Sequence, residues 1–371
     1  MGTHAPSLDI VCTTFTKVRV AMTTRRRRLD DVGEWGLLAR LPALLPREPR
    51  WVAVGRGRDD CAVLNLGGRE RLLLTCDVQL EGRHFRRAWM PPRMLGRRAA
   101  SVNLSDVAAM GGRPRAALVS LLLPADLDVR YFDAVMRGVG ERLHTFGAAV
   151  VGGNLAQSAR FIAVDVALLG TVAPDRFVQR AGARPGDRIL VTGWPGESAA
   201  GLSLLRARSR GAATTSDARR LVRRHLDPTP RVHEGVALAA GGATAMVDAS
   251  DGVAADLLHL CDASGVGAEV HVAQLPVSPA LQRAARARGV PAWRWTLYGG
   301  EDYELVCTAP PARVAALQRA VLRAGGVSLQ DIGAIVARKS NRTLVHADGR
   351  RTELSPAGWQ HFMSGVPRRS R

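Results

Sequence analysis

A carboxylate stands inside the apolar run Asn103–Gly112, NLSDVAAMGG. Leu104, Val107, Ala108 and Met110 give this stretch the pattern of a buried helix that Gly111-Gly112 stop. Asp106 sits in its middle, and a buried carboxylate is costly unless it is paired or holds a metal. Any fold of this chain must therefore bring a partner to Asp106. A second stretch, DASDGVAADLL from Asp248 to Leu258, again sets Ser-Asp ahead of a small, apolar helical run.

The 371 residues suffice for two ordinary domains, and 46% hydrophobic content allows large cores. No uncharged apolar run is long enough for a transmembrane helix, and the N-terminus lacks an apolar segment with a cleavage site. Five cysteines (Cys12, Cys61, Cys76, Cys261, Cys307) are scattered and never spaced C-x-x-C. They read as reduced thiols in the cytoplasm and argue against a zinc cage. The formal charge of +19 comes from arginines spread over the chain, with few aromatics to stack bases, so nucleic acid ranks last among partners. No membrane partner is expected. Only two lysines occur, Lys17 and Lys339, and neither lies in a Walker A loop or follows V-A-I. Nucleotide phosphates would have to be met by metal ions on carboxylates, by arginine and by backbone N–H groups.

Residues 1–32, with the run RRRRLDD, read as a flexible N-terminal extension in which Met22 is an alternative start. A helical pattern begins at Gly33. Strand-like runs cover Cys61–Leu66 and Arg71–Leu80, a long helix runs from about Pro92 to Met110, and Ala117–Pro124 is a strand. Val129–Phe146 is a helix, followed by strands over AAVVGG and RFIAVDVALLGTV. Pro, Gly and charge cluster over Pro174–Asp187, so the domain junction is expected there, dividing the chain into 33–174 and 175–365 with a basic tail at 366–371. The second half alternates again. Its strands are RILVTG, TAMVDAS, GAEVHV, YELVCTA, Ile332–Val336 and Thr343–Val345. Its helices are GESAAGLSLLRARS, RVHEGVALAAG, Asp251–Ala263 and Ala312–Ala324. Without a strict βαβ rhythm, the expected class is α+β, with two α/β-layered domains.

Asp59-Asp60, Asp77, Asp106, Asp248 and Asp251 share a context at strand ends or beside helices. One such Asp alone is most simply a cap or turn residue. Six suit a multi-magnesium nucleotide site, because hard cations take oxygen ligands. The glycine pairs in VVGGNL and YGGEDYEL lie beside strands, as turns that can present N–H groups to phosphate.

RDDCAVL, TCDVQLEGRHF, SVNLSDVAAMGGRP, VVGGN, RAGARPGD, VTGWPGESAAGL, VDASDGVAADLLHL, GGEDYEL and GWQHF occur in this order. Together they resemble the thiamine-monophosphate kinase family of the aminoimidazole-ribonucleotide-synthetase superfamily, over about Gly33 to Phe362. The resemblance implies an N-terminal domain whose sheet forms a barrel across a homodimer, and a C-terminal α/β domain. It also implies ATP as co-substrate, several magnesium ions, and direct transfer of the γ-phosphoryl group to thiamine monophosphate, giving thiamine diphosphate without a protein nucleophile. Asp59, Thr75, Asp77, Asp106, Asp248 and Asp251 match metal positions, with Cys76 and Asn154 beside them. Phe146, Gly153, Asn154, Arg180 and Ser250 match the nucleotide site, and His84, Glu301 and Trp359 the thiamine site. The chain departs from the family at Arg58 (Gly), Cys76 (Thr) and Asn154-Leu155 (Asp-Thr). The alternatives are an ATP-dependent superfamily enzyme with another acceptor, or a nucleotide-binding paralogue with impaired catalysis.

Overall fold

The computed structural model describes residues 28–207 and 215–357. Residues 28–39 belong to one compact unit, with a 3-10 turn at Leu29–Asp31 and helix α1 at Gly33–Leu38. The end of the expected flexible extension thus carries a turn, which Asp31 closes by accepting the Arg28 N–H at 2.7 Å. Residues 40–357 belong to a second unit, which holds everything described below.

The second unit begins with the short helix α2 (Leu41–Leu44) and contains two sheets. The first is built from β1 (Val52–Val54), β2 (Ala62–Leu64), β3 (Arg71–Leu80), β4 (Arg113–Pro124), β5 (Ala149–Ser158) and β6 (Ala163–Val172). Its order is β1-β2-β3-β6-β4-β5, and only β4 and β5 run parallel. Helices α3 (Pro92–Ala109) and α4 (Val129–Thr145) belong to the same half. Leu73, Val119, Leu121, Val164 and Val166 join Leu95, Leu104, Val107, Val139 and Leu143 of these helices in one core. The alternate residues of the strands have no such cover: Leu74, Val78 and Leu118 are exposed. This is the period-two pattern of a sheet with one packed face, but its open face is apolar.

Two glycines let α3 and α4 touch backbone to backbone. A Cβ on Gly96 would lie 1.9 Å from the Val135 carbonyl oxygen, and one on Gly138 would lie 2.0 Å from that of Arg93. No larger residue fits either place without moving a helix.

The second sheet contains β7 (Arg188–Thr192), β8 (Ala245–Ala249), β9 (Gly267–His271), β10 (Glu304–Ala309), β11 (Leu329–Val336), β12 (Arg342–Val345) and β13 (Arg351–Glu353). Its order is β13-β12-β9-β11-β7-β10-β8, antiparallel except for β12 with β9. Around it are α5 (Glu197–Arg206), α6 (Ser216–Leu226), α7 (Val232–Gly241), α8 (Val253–Ser264), α9 (Pro279–Ala287), α10 (Ala292–Tyr298) and α11 (Pro311–Gly325). Every residue of β8 and β10 is buried, as expected of strands covered on both faces. In β7 the alternation divides the core: Leu190 joins the cluster of the first sheet, while Ile189 and Val191 join one with Leu257, Val270 and Val306.

The architecture is mixed α/β with two sheets, as expected, but neither sheet closes on itself. Two local expectations are corrected. Gly152-Gly153 do not form a turn after a strand; they continue β5, with an irregularity where Ala117 and Leu118 of β4 pair with Val150 and Gly152. The extra residue bends the strand without ending it, and a Cβ on Gly153 would sit 1.9 Å from the Val119 carbonyl oxygen. Secondly, α6, α9 and α10 fill stretches where no element was expected. Among the described residues, no helix is long and apolar enough to cross a membrane.

The glycine contact between α3 and α4 generates a paired test. Gly138→Ala should destabilise the protein by about 1–3 kcal/mol through overpacking. Gly140→Ala, on the same helix with nothing within 4 Å of its Cβ, should be neutral or stabilising by up to about 1 kcal/mol. Denaturant unfolding of both variants measures the contrast.

Candidate active site

Asp60, Asp106 and Asp248 each bring a carboxylate oxygen within 4.8 Å of the others. They come from the loop before β2, the last turns of α3 and the end of β8, so Asp106 faces two further carboxylates, which raise the cost of its charge instead of offsetting it. Each is held by a donor. The Ser105 hydroxyl donates to Asp248 at 2.7 Å, the Thr75 hydroxyl to Asp106 at 2.5 Å, and the Arg180 guanidinium to Asp60. One oxygen of Asp60, Oδ2, is buried and has no hydrogen-bond partner.

Like charges at this spacing resist ionisation, and burial adds to the resistance. Burial first, then neighbouring carboxylates, holds Asp106 well above the usual carboxylate range. Burial and Asp60 push Asp248 up to about 8. Asp59 is pushed up to about 7 by burial and by Asp60. A hard divalent cation would reverse this balance, since it favours three ionised oxygen ligands and would satisfy the orphaned oxygen of Asp60. The donor set therefore fits a magnesium-type ion and contains no sulfur or imidazole that would suit a softer one.

Further site residues gather around this group. The Asp77 N–H donates to the Asn103 side-chain oxygen at 3.0 Å, which ties β3 to α3. Asp59 turns aside from the triad and accepts the backbone N–H of Arg180 at 3.1 Å. Asp251 lies in a turn whose N–H groups, from Asp251 and Gly252, donate to the buried Asp256 carboxylate at 3.1 and 3.0 Å. Ser250 offers its carbonyl to the Glu301 N–H at 2.7 Å, and Ala249 its own to Tyr303 at 2.9 Å. Glu301 and Tyr303 adopt left-handed backbone, φ 64° and 55°, which non-glycine residues rarely hold unless their surroundings force it. A Cβ on Gly300 would approach the Ser250 carbonyl oxygen to 2.7 Å, so the two turns fit only with glycine there. His84 accepts the Leu80 N–H on Nδ1 at 3.0 Å, just beyond β3.

Other expected residues stand elsewhere. Alternation along β3 puts Thr75 and Asp77 on the face toward α3 and Cys76 on the opposite face. There the Cys76 thiol donates to Asp165 at 3.2 Å, and burial with that bond pushes it up to about 11. Its sulfur does not join the carboxylates. Asn154 pairs with Ser120 in β5, and β5 is separated from β3 by β6 and β4. Three strand spacings make about 14 Å, so Asn154 of this chain does not stand beside Asp77. Phe146 caps α4, its ring 5.5 Å from that of His233. Trp359 lies outside the described residues. Of the Asp59-Asp60 pair, the motif match names Asp59 as a metal position, whereas the structure groups Asp60 with Asp106 and Asp248. It also missed Ser105 and Asp256, whose Ser-Asp and A-A-D contexts were the available signal.

The chain is similar to known proteins over most of its length. The N-terminal domain of AIR synthase related proteins matches residues 58–172, and the C-terminal domain of the same proteins matches residues 184–346. The chain is 37% identical to the thiamine-monophosphate kinase of Escherichia coli K12, over 89% of this chain and 98% of that protein. Identity to the Aquifex aeolicus thiamine-monophosphate kinase is also 37%, over 90% and 100%. The solved structure of AaThiL complexed with AMPPCP and TMP is similar with a TM-score of 0.79 at 35% identity, covering 91% of this chain and all of that one. Escherichia coli HypE, a hydrogenase maturation protein, shares the fold at 23% identity and a TM-score of 0.64.

The raised carboxylates imply a pH dependence with a definite sign. Between the ordinary carboxylate range and about 8, the folded state holds protons that the unfolded chain has lost, so stability falls as pH rises. In chelator, the melting temperature should fall from about pH 6 to about pH 8.5. Magnesium should flatten that slope, and Asp248→Asn should flatten it in chelator. Thermal unfolding across this range, with and without magnesium, checks both.

Proposed function

The chain belongs to the thiamine-monophosphate kinase family of AIR synthase related proteins, and on that premise we propose how its residues divide the reaction. It is an ATP-dependent kinase that phosphorylates thiamine monophosphate to thiamine diphosphate. The observation that carries the assignment of residues is the carboxylate triad with its buried, unpartnered Asp60 oxygen.

Asp60, Asp106 and Asp248 would hold magnesium, with Thr75, Asp77 and Asp251 around them. Asp60 takes the role that the motif match gave to Asp59. Magnesium bound there would neutralise phosphate charge and draw the two phosphates into line. The protein's own work is positioning. Thr75 and Ser105 fix the rotamers of Asp106 and Asp248, Arg180 holds Asp60, and Asp256 shapes the turn that presents Asp251. Lys339, the lysine among the described residues, is paired with Asp262, 3.2 Å away. No side-chain nucleophile is needed, because the acceptor phosphate attacks the γ-phosphorus directly and in line. Phe146, Gly153, Asn154, Arg180 and Ser250 are assigned to ATP, and His84, Glu301 and Trp359 to thiamine monophosphate.

The domain division at 33–174 and 175–365, and a cytoplasmic site of action, complete the reading. A homodimer is proposed through the open face of the first sheet. Leu74, Val78 and Leu118 are exposed there, and a second copy covering them would extend the sheet into a barrel across the dimer.

Incubation with ATP, magnesium and thiamine monophosphate should yield thiamine diphosphate, resolved by chromatography; its absence would overturn the reading. Asp60→Asn and Asp106→Asn should each lower turnover by about a hundredfold or more while folding normally, and Asp59→Asn should cost less. For the dimer, light scattering should give twice the chain mass for the parent and the chain mass for Leu118→Asp.

A further inference from the structure

Arg98 is the largest fully buried side chain of the described residues. A guanidinium keeps its charge under all ordinary conditions, so its burial requires acceptors on every side. Three segments supply them. Its Nε–H donates to Gln79 of β3 at 3.0 Å, one Nη to the carbonyl of His225 at the end of α6, and the other Nη to the Glu301 carboxylate. The same guanidinium lies 5.9 Å from the centre of the Tyr303 ring. Arg98 thus touches both residues that flank Asp302 and hold left-handed backbone.

The second oxygen of Glu301 is 3.5 Å from His225 Nδ1, which also lies 3.1 Å from the Ser198 hydroxyl. Ser198 and Glu301 meet the same ring nitrogen, so these three do not form a nucleophilic triad, in which serine and acid take opposite nitrogens. The group is a cradle for one carboxylate. Glu301 keeps 27% of its side chain exposed while Arg98 has none, so the network fixes Glu301 from behind and leaves an edge free.

Arg98 and Asp106 share α3. Eight residues at 1.5 Å each put them about 12 Å apart along one rigid axis. The C-terminal end of α3 therefore helps set the carboxylate triad, and its middle, about two turns earlier, sets Glu301. We propose that Arg98 is a positioning residue for acceptor recognition: through Glu301 it fixes the cationic ring portion of thiamine monophosphate at a set distance from the transferring phosphoryl group. This rests on the reading of the chain as a thiamine-monophosphate kinase with Glu301 against the acceptor.

The test uses the full-length protein with Glu301→Gln, Arg98→Met, Arg98→Lys and the double variant Arg98→Met/Glu301→Gln, measuring kcat and both KM values. Loss of a charge-assisted bond should raise the KM for thiamine monophosphate about tenfold in Arg98→Met, with the KM for ATP changed by less than about twofold. Arg98→Lys should recover part of the loss. The double variant should be little worse than Glu301→Gln alone, because Arg98 acts through that carboxylate. A KM change shared equally by both substrates, a loss in kcat alone, or additive effects in the double variant would overturn the proposal. If Glu301→Gln raises the KM for thiamine monophosphate and Arg98→Met does not, the proposal alone fails. If Glu301→Gln leaves it unchanged, the placement of Glu301 at the acceptor fails and takes the proposal with it. Should Arg98→Met not fold, Arg98→Lys decides by the same split: a rise confined to thiamine monophosphate supports the role, and any other pattern overturns it.

Discussion

Three buried or partly buried carboxylates that repel one another are the constraint on which the rest of the structure depends. Bringing Asp60, Asp106 and Asp248 together costs desolvation and Coulomb energy, so the surrounding fold must be rigid enough to hold them. The two cores supply that rigidity. α3 is packed against β3 and α4, and β8 is buried along its whole length. Short polar side chains then set each carboxylate individually: Thr75, Ser105 and the Arg180 guanidinium. A site assembled this way stores unfavourable interaction in the protein, which a cation bound there would release.

The sequence showed the larger elements because their periodicity is strong. The strand expected at Arg71–Leu80 has those bounds, and α3 ends one residue before the expected Met110. Asp106 was found because it violates the pattern of its own helix. The Asp59-Asp60 choice was different. Two adjacent aspartates in a loop have no period to separate them; the backbone N–H groups of Asp60 and of Arg180, 121 residues away, hold Asp59, while the Arg180 guanidinium holds Asp60. The helices α6, α9 and α10 escaped notice for another reason. α6 and α9 are strongly amphipathic but Arg-rich, and α10 is a short run with two tryptophans. In α6 and α9 the apolar positions are few among arginines, so the period was present but not read. Cys76 could have been placed from sequence, because Thr75 and Asp77 claim one face of the strand and leave it the other.

The chain handles its charge through arginine, and this shapes both its core and its site. Glu304, buried in β10, is bound by Arg231 and Arg224 as well as by the Thr192 hydroxyl. Asp227 is bound by Arg97 and Arg142. These pairs tie α6 and α7 to the second sheet and α6 to α3 and α4. A planar fork with fixed donors suits such junctions, where a lysine would leave carboxylate oxygens unmet. Burial of an ion pair adds little net stability, so their role is to fix which segments meet.

The two faces of β3 have a consequence for how such a chain can change over time. One face holds Thr75, Asp77 and Gln79 toward α3, and the other exposes Leu74, Cys76 and Val78. β3 pairs with β6 over ten consecutive residues without a bulge, from Arg71 with Val172 to Leu80 with Ala163. Because side chains alternate strictly, inserting or deleting one residue here would exchange the two sets at a stroke. Point substitutions on either face can be explored one at a time, but the length of this strand cannot. Variation in length is left to the connections, and the distance from Thr75 to Asp77 is frozen by geometry rather than by chemistry.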